Sequence, residues 1–292
     1  MANLKDLRNR ISSVESTKKI TKAMQMVSAS KLRKAQDAAE AARPYAERME
    51  KVLSSLASSM KGQEGGPRLL AGTGSNQKQL VVVATSERGL CGGFNSNIVK
   101  AAKAKIEALI ADGKEVQIIT IGKKGAAVLK REYSKRIIQH FDMSHVRNVA
   151  FSDAAPIAAC FIEMYEAGDF DVCTLFFAKF VNVLTQEVTP LQLIPASINE
   201  ENNTDLGGAA YEYEPDENEI LEDLLPRNVG VQLFRALLEN AASEQGSRMT
   251  AMDNATRNAG EMIDSLRTTY NRTRQAVITN ELIEIISGAE AL

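Results

Sequence analysis

The chain has 292 residues, 44% of them hydrophobic, enough for a buried core spread over one or two domains. Trp is absent and aromatics make up 5%, while Ala, Met, Lys, Glu and Gln recur, a bias that favours helix and argues against an all-β sandwich. A net charge of −2 argues against a general electrostatic affinity for nucleic acid, and three cysteines in three separate segments, Cys91, Cys160 and Cys173, fit neither a disulfide framework nor metal-ligand spacing and point to a reducing compartment.

The first segment, about Asn3 to Ser58, contains no Gly and a single Pro, Pro44. Leu4, Leu7, Ile11 and Val14 follow 3-4 spacing, which continues through polar Lys18, Thr21, Gln25 and Ser28 and then Leu32, Ala35, Ala39, Ala42, Ala46, Met49, Leu53 and Leu56. This is one heptad register with a polar gap in its middle, and it predicts a helix about 80 Å long at ~1.5 Å per residue. Inside the gap the apolar residues move to another face, at Ile20, Met24 and Val27. From Met1 to Lys34 nine Lys/Arg stand against two Asp/Glu, so the helix is basic. No aromatic precedes Tyr45 to stack on bases, so an acidic protein surface suits it better than nucleic acid.

Gly-, Pro- and Ser-rich stretches at 62–67 and 72–75 mark a domain boundary. The next segment, 77–198, alternates strands (80–85, 116–121, 136–141, 172–180, 187–194) with helices (97–111, 123–130, 153–166), the last capped by Asp153. Such alternation predicts a mostly parallel sheet with helices on its faces, and the last two strands can form a hairpin at one edge. Asn199 to Asp223 carries ten acidic and no basic residues and reads as a loop or edge extension, suited to solvent or to a partner. From Pro226, well placed for a first helical turn, a 3-4 walk runs through Val231, Phe234, Leu238, Ala241, Gln245, Arg248, Met252, Ala255, Ala259, Met262, Leu266, Thr269, Thr273 and Ala276 to Ile283.

Two long helices thus bracket a compact domain, each with a seam that it cannot bury alone. Antiparallel pairing is the economical arrangement, because the ends of a domain can lie close together. With Leu56 near Glu222, Leu4 faces about Arg274. The last dozen residues then project as an apolar tip bearing Val277, Ile278, Leu282, Ile283, Ile285 and Ile286.

Glu87 to Asn97, after the first strand, is a Gly-rich loop without GxGxxG spacing or a GK[ST] ending, so it reads as a tight structural turn rather than a phosphate cradle. Cys91 as a nucleophile would need His140 or His145, and neither sits in a motif. The acidic stretch lacks EF-hand spacing. No apolar run approaches the ~20 residues that span a bilayer. The start lacks the apolar core of a secretory signal, and a cytoplasmic bacterial protein is the simplest expectation.

Three groups of residues carry a family resemblance. They are 6–11, 19–24 and 29–33 near the start (DLRNRI, KITKAM, ASKLR); 88–95 in the middle (RGLCGGFN); and 251–256, Tyr270-Asn271, 276–282 and 284–291 near the end (AMDNAT, AVITNEL, EIISGAEA). Together they resemble gamma subunits of F-type ATP synthases, over both ends and the middle of the chain. Asn280 departs, standing where many members carry Lys or Gln, and the Cys-bearing insertion of chloroplast members is absent. The resemblance implies an α/β fold class: a long antiparallel coiled coil of N- and C-terminal helices (1–60 and 226–292), a central Rossmann-like α/β domain (77–198) and an acidic extension (199–225). It implies a non-catalytic rotor without cofactor or metal, one copy per complex, passing torque between a proton-driven c ring and a hexamer of alpha and beta subunits. Partners would be the alpha, beta and epsilon subunits and the c-subunit ring, with no nucleic acid, at the cytoplasmic face of the bacterial inner membrane. Met24 matches the position that passes the acidic lever of beta. Thr273, Arg274 and Gln275 match positions that bond a beta loop, and Tyr211, Tyr213 and Glu214 match positions that meet the c ring. The residues by themselves also admit an α/β enzyme with helical oligomerisation arms, or an unrelated coiled-coil scaffold.

Overall fold

The computed structural model describes residues 4–59, 67–196 and 217–290. The chain divides into two compact units, Met1–Ala29 with Arg248–Leu292, and Ser30–Ser247. Its elements in order are α1 (Leu4–Ser59), α2 (Arg68–Ala71), β1 (Lys78–Ala84), α3 (Phe94–Ala111), β2 (Glu115–Ile121), α4 (Lys123–Tyr133), β3 (Ile137–Phe141), α5 (Phe151–Glu166), β4 (Val172–Phe180), β5 (Gln186–Ile194) and α6 (Glu217–Glu290).

In the larger unit a five-stranded sheet has the order β3-β2-β1-β4-β5. β1 to β4 run parallel, and β5 returns antiparallel as an edge hairpin with β4. β1 is apolar from Leu80 to Ala84 and buries both faces there, as a central parallel strand must. Leu80, Val82 and Ala84 enter one core with Ile157, Phe161 and Tyr165 of α5 and with Val229, Leu233, Ala236 and Leu237 of α6. Val81 and Val83 enter the opposite core with Ile98, Val99, Ala102 and Ile106 of α3 and Leu129 of α4. Each fully buried Leu, Ile or Phe contributes about 1.5–3 kcal/mol, so these two cores dominate the unit's stability. A third cluster joins α1 and α6 through Met49, Leu53, Leu221 and Leu225.

Three helix starts differ from expectation, the first being α3, which begins at Phe94 rather than at 97. α6 begins at Glu217, nine residues before Pro226, and takes in the end of the acidic stretch. Pro226 removes one helical N–H, but Leu221 and Leu225 are buried on either side of a turn, and their packing outweighs that loss. α5 begins at Phe151, and Asp153 is not its cap. Its carboxylate instead accepts the Ala150 amide N–H at 2.9 Å from the first turn.

In the smaller unit α1 and α6 pair antiparallel. Arg8 meets Tyr270, Lys18 approaches Gly260, and Gln25 meets Asp253, which is the register that brings Leu4 towards Arg274. On α1 the expected seam is buried or half-buried from Leu4 to Ser28 except at Lys18, which is exposed; within the polar gap Thr21 and Ser28 are buried and Gln25 half-buried. On α6 the seam departs from expectation after Ala259. Ile263 is 5% exposed and Met262 52%, and the half-buried residues that follow are Leu266, Tyr270, Thr273 and Val277. Both lines share Met252, Ala259, Leu266 and Thr273. The second row is set by the side on which α1 lies.

Candidate functional site

The Gly-rich loop between β1 and α3 is tied down from within. Thr85 follows β1 directly, its N–H donating to Ile121 C=O at 2.8 Å, and its hydroxyl accepts Gly125 N–H at 2.8 Å. Gly122 makes that crossing possible, since a Cβ there would stand 2.2 Å from Thr85 carbonyl oxygen. Asn95 Oδ1 accepts Ser86 N–H at 3.0 Å, its Nδ2 donates to Ser86 Oγ at 2.8 Å, and Ser86 Oγ donates to Arg88 C=O at 2.7 Å. The buried Cys91 thiol lies 3.1 Å from Asn95 Nδ2, and its carbonyl accepts the Ser247 hydroxyl of α6 at 2.7 Å. His140 meets Thr120 at 2.9 Å.

In a doubly wound sheet a ligand enters beyond the carboxyl ends of the strands, where the order reverses; here that is between β1 and β4. α6 of the chain itself lies there. Ser247 bonds the loop, Asn240 Oδ1 accepts Ala178 N–H at 3.0 Å, and Glu239 Oε2 accepts Phe180 N–H at 3.0 Å. The space left, lined by residues such as Gly93, Asn97, Ala178 and Ser247, is 120 Å³, well under the ~300–1,000 Å³ of small-molecule sites. A larger cavity of 400 Å³ lies between α4 and β3, against Lys130, Ile137, Ile138 and His140. Among the described residues no group of three or more His, Cys, Asp or Glu is arranged to hold a metal ion.

The two-helix unit has a different surface. Polar residues of α1 face its seam: the Thr21 hydroxyl stands 2.8 Å from that of Thr256, and Gln25 Nε2 donates to Asp253 Oδ1 at 2.9 Å. Arg267 donates to Glu15 at 2.7 Å, and Arg8 donates to the Tyr270 hydroxyl at 2.9 Å. Apolar residues of the same stretch point outward, Ile20 at 60% and Val27 at 56% exposure, while Met24 between them is half-buried. At the end of α6, Ile278, Leu282, Ile283, Ile285 and Ile286 are all exposed.

A family model for ATP synthase matches residues 3–292. The ATP synthase gamma chain of Parvibaculum lavamentivorans is 61% identical over the whole of both chains, and that of Rhizorhabdus wittichii 63%. The chain belongs to the ATP synthase gamma chain family. Among solved structures it is similar to a chain of the central stalk and c-ring of Tetrahymena thermophila mitochondrial ATP synthase, at 28% identity and a TM-score of 0.60, over 81% of this chain and 99% of that one. A rotor chain of Euglena gracilis mitochondrial ATP synthase, 17% identical over 94% of this chain and 98% of its own, has a TM-score of 0.65 and speaks to the fold alone.

Of the residues singled out from the sequence, four lie in the two-helix unit. Met24 is half-buried beside exposed Ile20 and Val27, Thr273 is half-buried, and Arg274 and Gln275 are exposed. Tyr211, Tyr213 and Glu214 lie outside the described residues. Glu239, Asn240 and Ser247 were not singled out. Their one sequence signal is a polar pair next to Leu238, amid a run of small and apolar residues.

Proposed function

We propose that the chain is the rotor shaft of an F-type ATP synthase. It turns inside a hexamer of alpha and beta subunits, stands on a c ring together with an epsilon subunit, and performs no chemistry itself. The observation that carries this reading is the inverted polarity of α1 over Thr21 to Ser28, where hydroxyl and amide side chains face the partner helix while Ile20 and Val27 face out. A helix pair surrounded by water arranges these the other way, whereas a pair sheathed by protein has a use for an apolar exterior. The chain's similarity to a chain of the Tetrahymena central stalk and c-ring supports the same reading. The α/β-enzyme reading has no such support, since α6 fills the crevice where a doubly wound sheet binds its ligand. Among the described residues no helix is long and apolar enough to cross a membrane, and on this reading the chain is peripheral to the bacterial inner membrane through the complex.

As the shaft turns, each beta subunit meets a different face of it, and the difference in contact energy shifts beta among its nucleotide affinities. Met24, Thr273, Arg274 and Gln275 are the proposed contacts with beta, and Tyr211, Tyr213 and Glu214 those with the c ring. Reconstitution with purified alpha and beta subunits tests the reading. Wild-type chain is expected to give multisite ATP hydrolysis and rotation. Arg274→Ala and Gln275→Ala, made separately, are expected to slow multisite turnover about tenfold, through loss of a partly desolvated donor. Both variants should leave single-site nucleotide binding unchanged. Hydrolysis by the isolated chain, or no association with alpha and beta, would overturn it.

A further inference from the structure

The larger unit grips α6 in two distinct ways. Apolar packing comes first: Val229, Leu233, Ala236 and Leu237 share a core with Phe161, Phe170, Leu175 and Phe177. Packing of this kind fixes the distance between helix and sheet but is weakly directional. The second grip is polar and directional. β1 pairs with β4 only as far as Phe176, so Ala178 and Phe180 lie past their last β1 partner. Their N–H groups are accepted by Asn240 Oδ1 and Glu239 Oε2, each at 3.0 Å. Two turns further along α6, Ser247 Oγ donates to Cys91 C=O at 2.7 Å, and at Gly246 a Cβ would stand 3.2 Å from the Phe180 ring. With about 100° between successive residues, positions 239, 240, 246 and 247 fall on one face roughly 120° wide. Arg43 of α1 joins the same point, 3.8 Å from Glu239 Oε1.

We propose that this face of α6 is the coupling through which torque passes between the sheet domain and the carboxy-terminal helix, with Glu239 and Asn240 as its positioning residues. The inference rests on the rotor reading given above. A load that turns α6 about its own axis slides the apolar contacts past one another but must break bonds to strand amides fixed in the sheet. Two acceptors on successive residues, facing alternate amides of one strand, hold the helix at a single azimuth. Glu239 serves both long helices at once, since Oε2 takes the strand amide while Oε1 faces Arg43.

The experiment compares a double variant, Glu239→Ala with Asn240→Ala, with a conservative one, Glu239→Gln with Asn240→Asp, which keeps an acceptor oxygen at each position. In the full chain, exchange of the Ala178 and Phe180 amides should be about tenfold faster in the alanine variant and near wild type in the conservative one. In membranes, at equal assembly, the alanine variant should hydrolyse ATP at the wild-type rate while pumping at least about twofold fewer protons per ATP, and the conservative variant should restore the ratio. A merely structural role would lower hydrolysis and pumping together. If the alanine pair does not assemble, Asn240→Ala alone, which keeps the Glu239 bridge, is measured in the same way and should give an intermediate ratio. Faster amide exchange with a wild-type pumping ratio overturns the coupling and leaves the rotor reading standing. Absence of ATP-driven pumping with the wild-type chain overturns the rotor reading itself.

Discussion

Asp171, at the start of β4, gathers a loop that the sequence leaves without structure. Its carboxylate accepts the hydroxyls of Thr73 at 2.7 Å and Ser75 at 3.0 Å and the Lys78 amide at 2.9 Å, fastening the linker to the foot of β1. Burial, the largest influence, pushes the carboxyl up, but the Lys78 amide and the two hydroxyls outweigh it, and the group lies below the ordinary carboxylate range. A lowered folded-state pKa means stability that is fully present above the unfolded value of about 3.9 and is lost as pH falls through the folded one. Asp171→Asn is therefore expected to cost roughly 1–3 kcal/mol at neutral pH, with the difference from wild type closing in acid. Urea midpoints of the full chain near pH 7 and pH 3 measure this, and a difference independent of pH would mean that the charge is irrelevant. Gly122, with φ 89, is the other residue whose role is invisible locally, since its missing Cβ matters through Thr85, just past the end of neighbouring β1.

Within single elements, most of the secondary structure was legible. The apolar run at 80–85 is β1, and the 3-4 spacing from Leu4 is one helix to Ser59. Of the boundaries that moved, those at Pro226 and Asp153 did so because burial of Leu221 and Leu225 and an in-turn carboxylate bond outweighed local punctuation. Ala39 and Ala42 of α1 are half-buried small residues that admit a close neighbour. Replacing both with Glu is expected to cost roughly 2–4 kcal/mol, because two charges lose water without gaining partners. A thermal melt of the full chain and capture by alpha and beta subunits would both register the loss; unchanged melting and capture would mean that this stretch of α1 is not a packed seam.

For the molecule as a whole, the described surface carries apolar residues that its own fold does not cover. The end of α6 exposes Leu282 and Ile286 among five large aliphatic residues. Such a patch on a free chain is an association hazard. The isolated full chain is expected to self-associate as its concentration rises. Leu282→Gln with Ile286→Gln should reduce that association without shifting the melting temperature, because neither side chain is buried. Light scattering beside a thermal melt checks both. Equal self-association of variant and wild type would assign the liability to another surface, such as Ile20 and Val27.

The sequence by itself determined what repeats along the backbone: two helices with seven-residue seams, a strand-helix alternation that builds a parallel sheet, an antiparallel register bringing Leu4 towards Arg274, and a Gly-rich loop without the spacing of a phosphate site. Periodicity belongs to local geometry, so it can be read without knowing what the element touches. Tertiary structure decided which side of each period was used. Met252, Ala259, Leu266 and Thr273 fit two seams equally well, and the position of α1 buried Ile263 and left Met262 out. The polar gap of α1 read as an interruption, yet paired Thr21 with Thr256 and Gln25 with Asp253 across more than 220 residues. Glu239 and Asn240 found the amides of Phe180 and Ala178 some 60 residues away. A side chain's donors and acceptors are fixed by its type, but the group that satisfies them is chosen by whichever element docks there, and no local pattern records that choice.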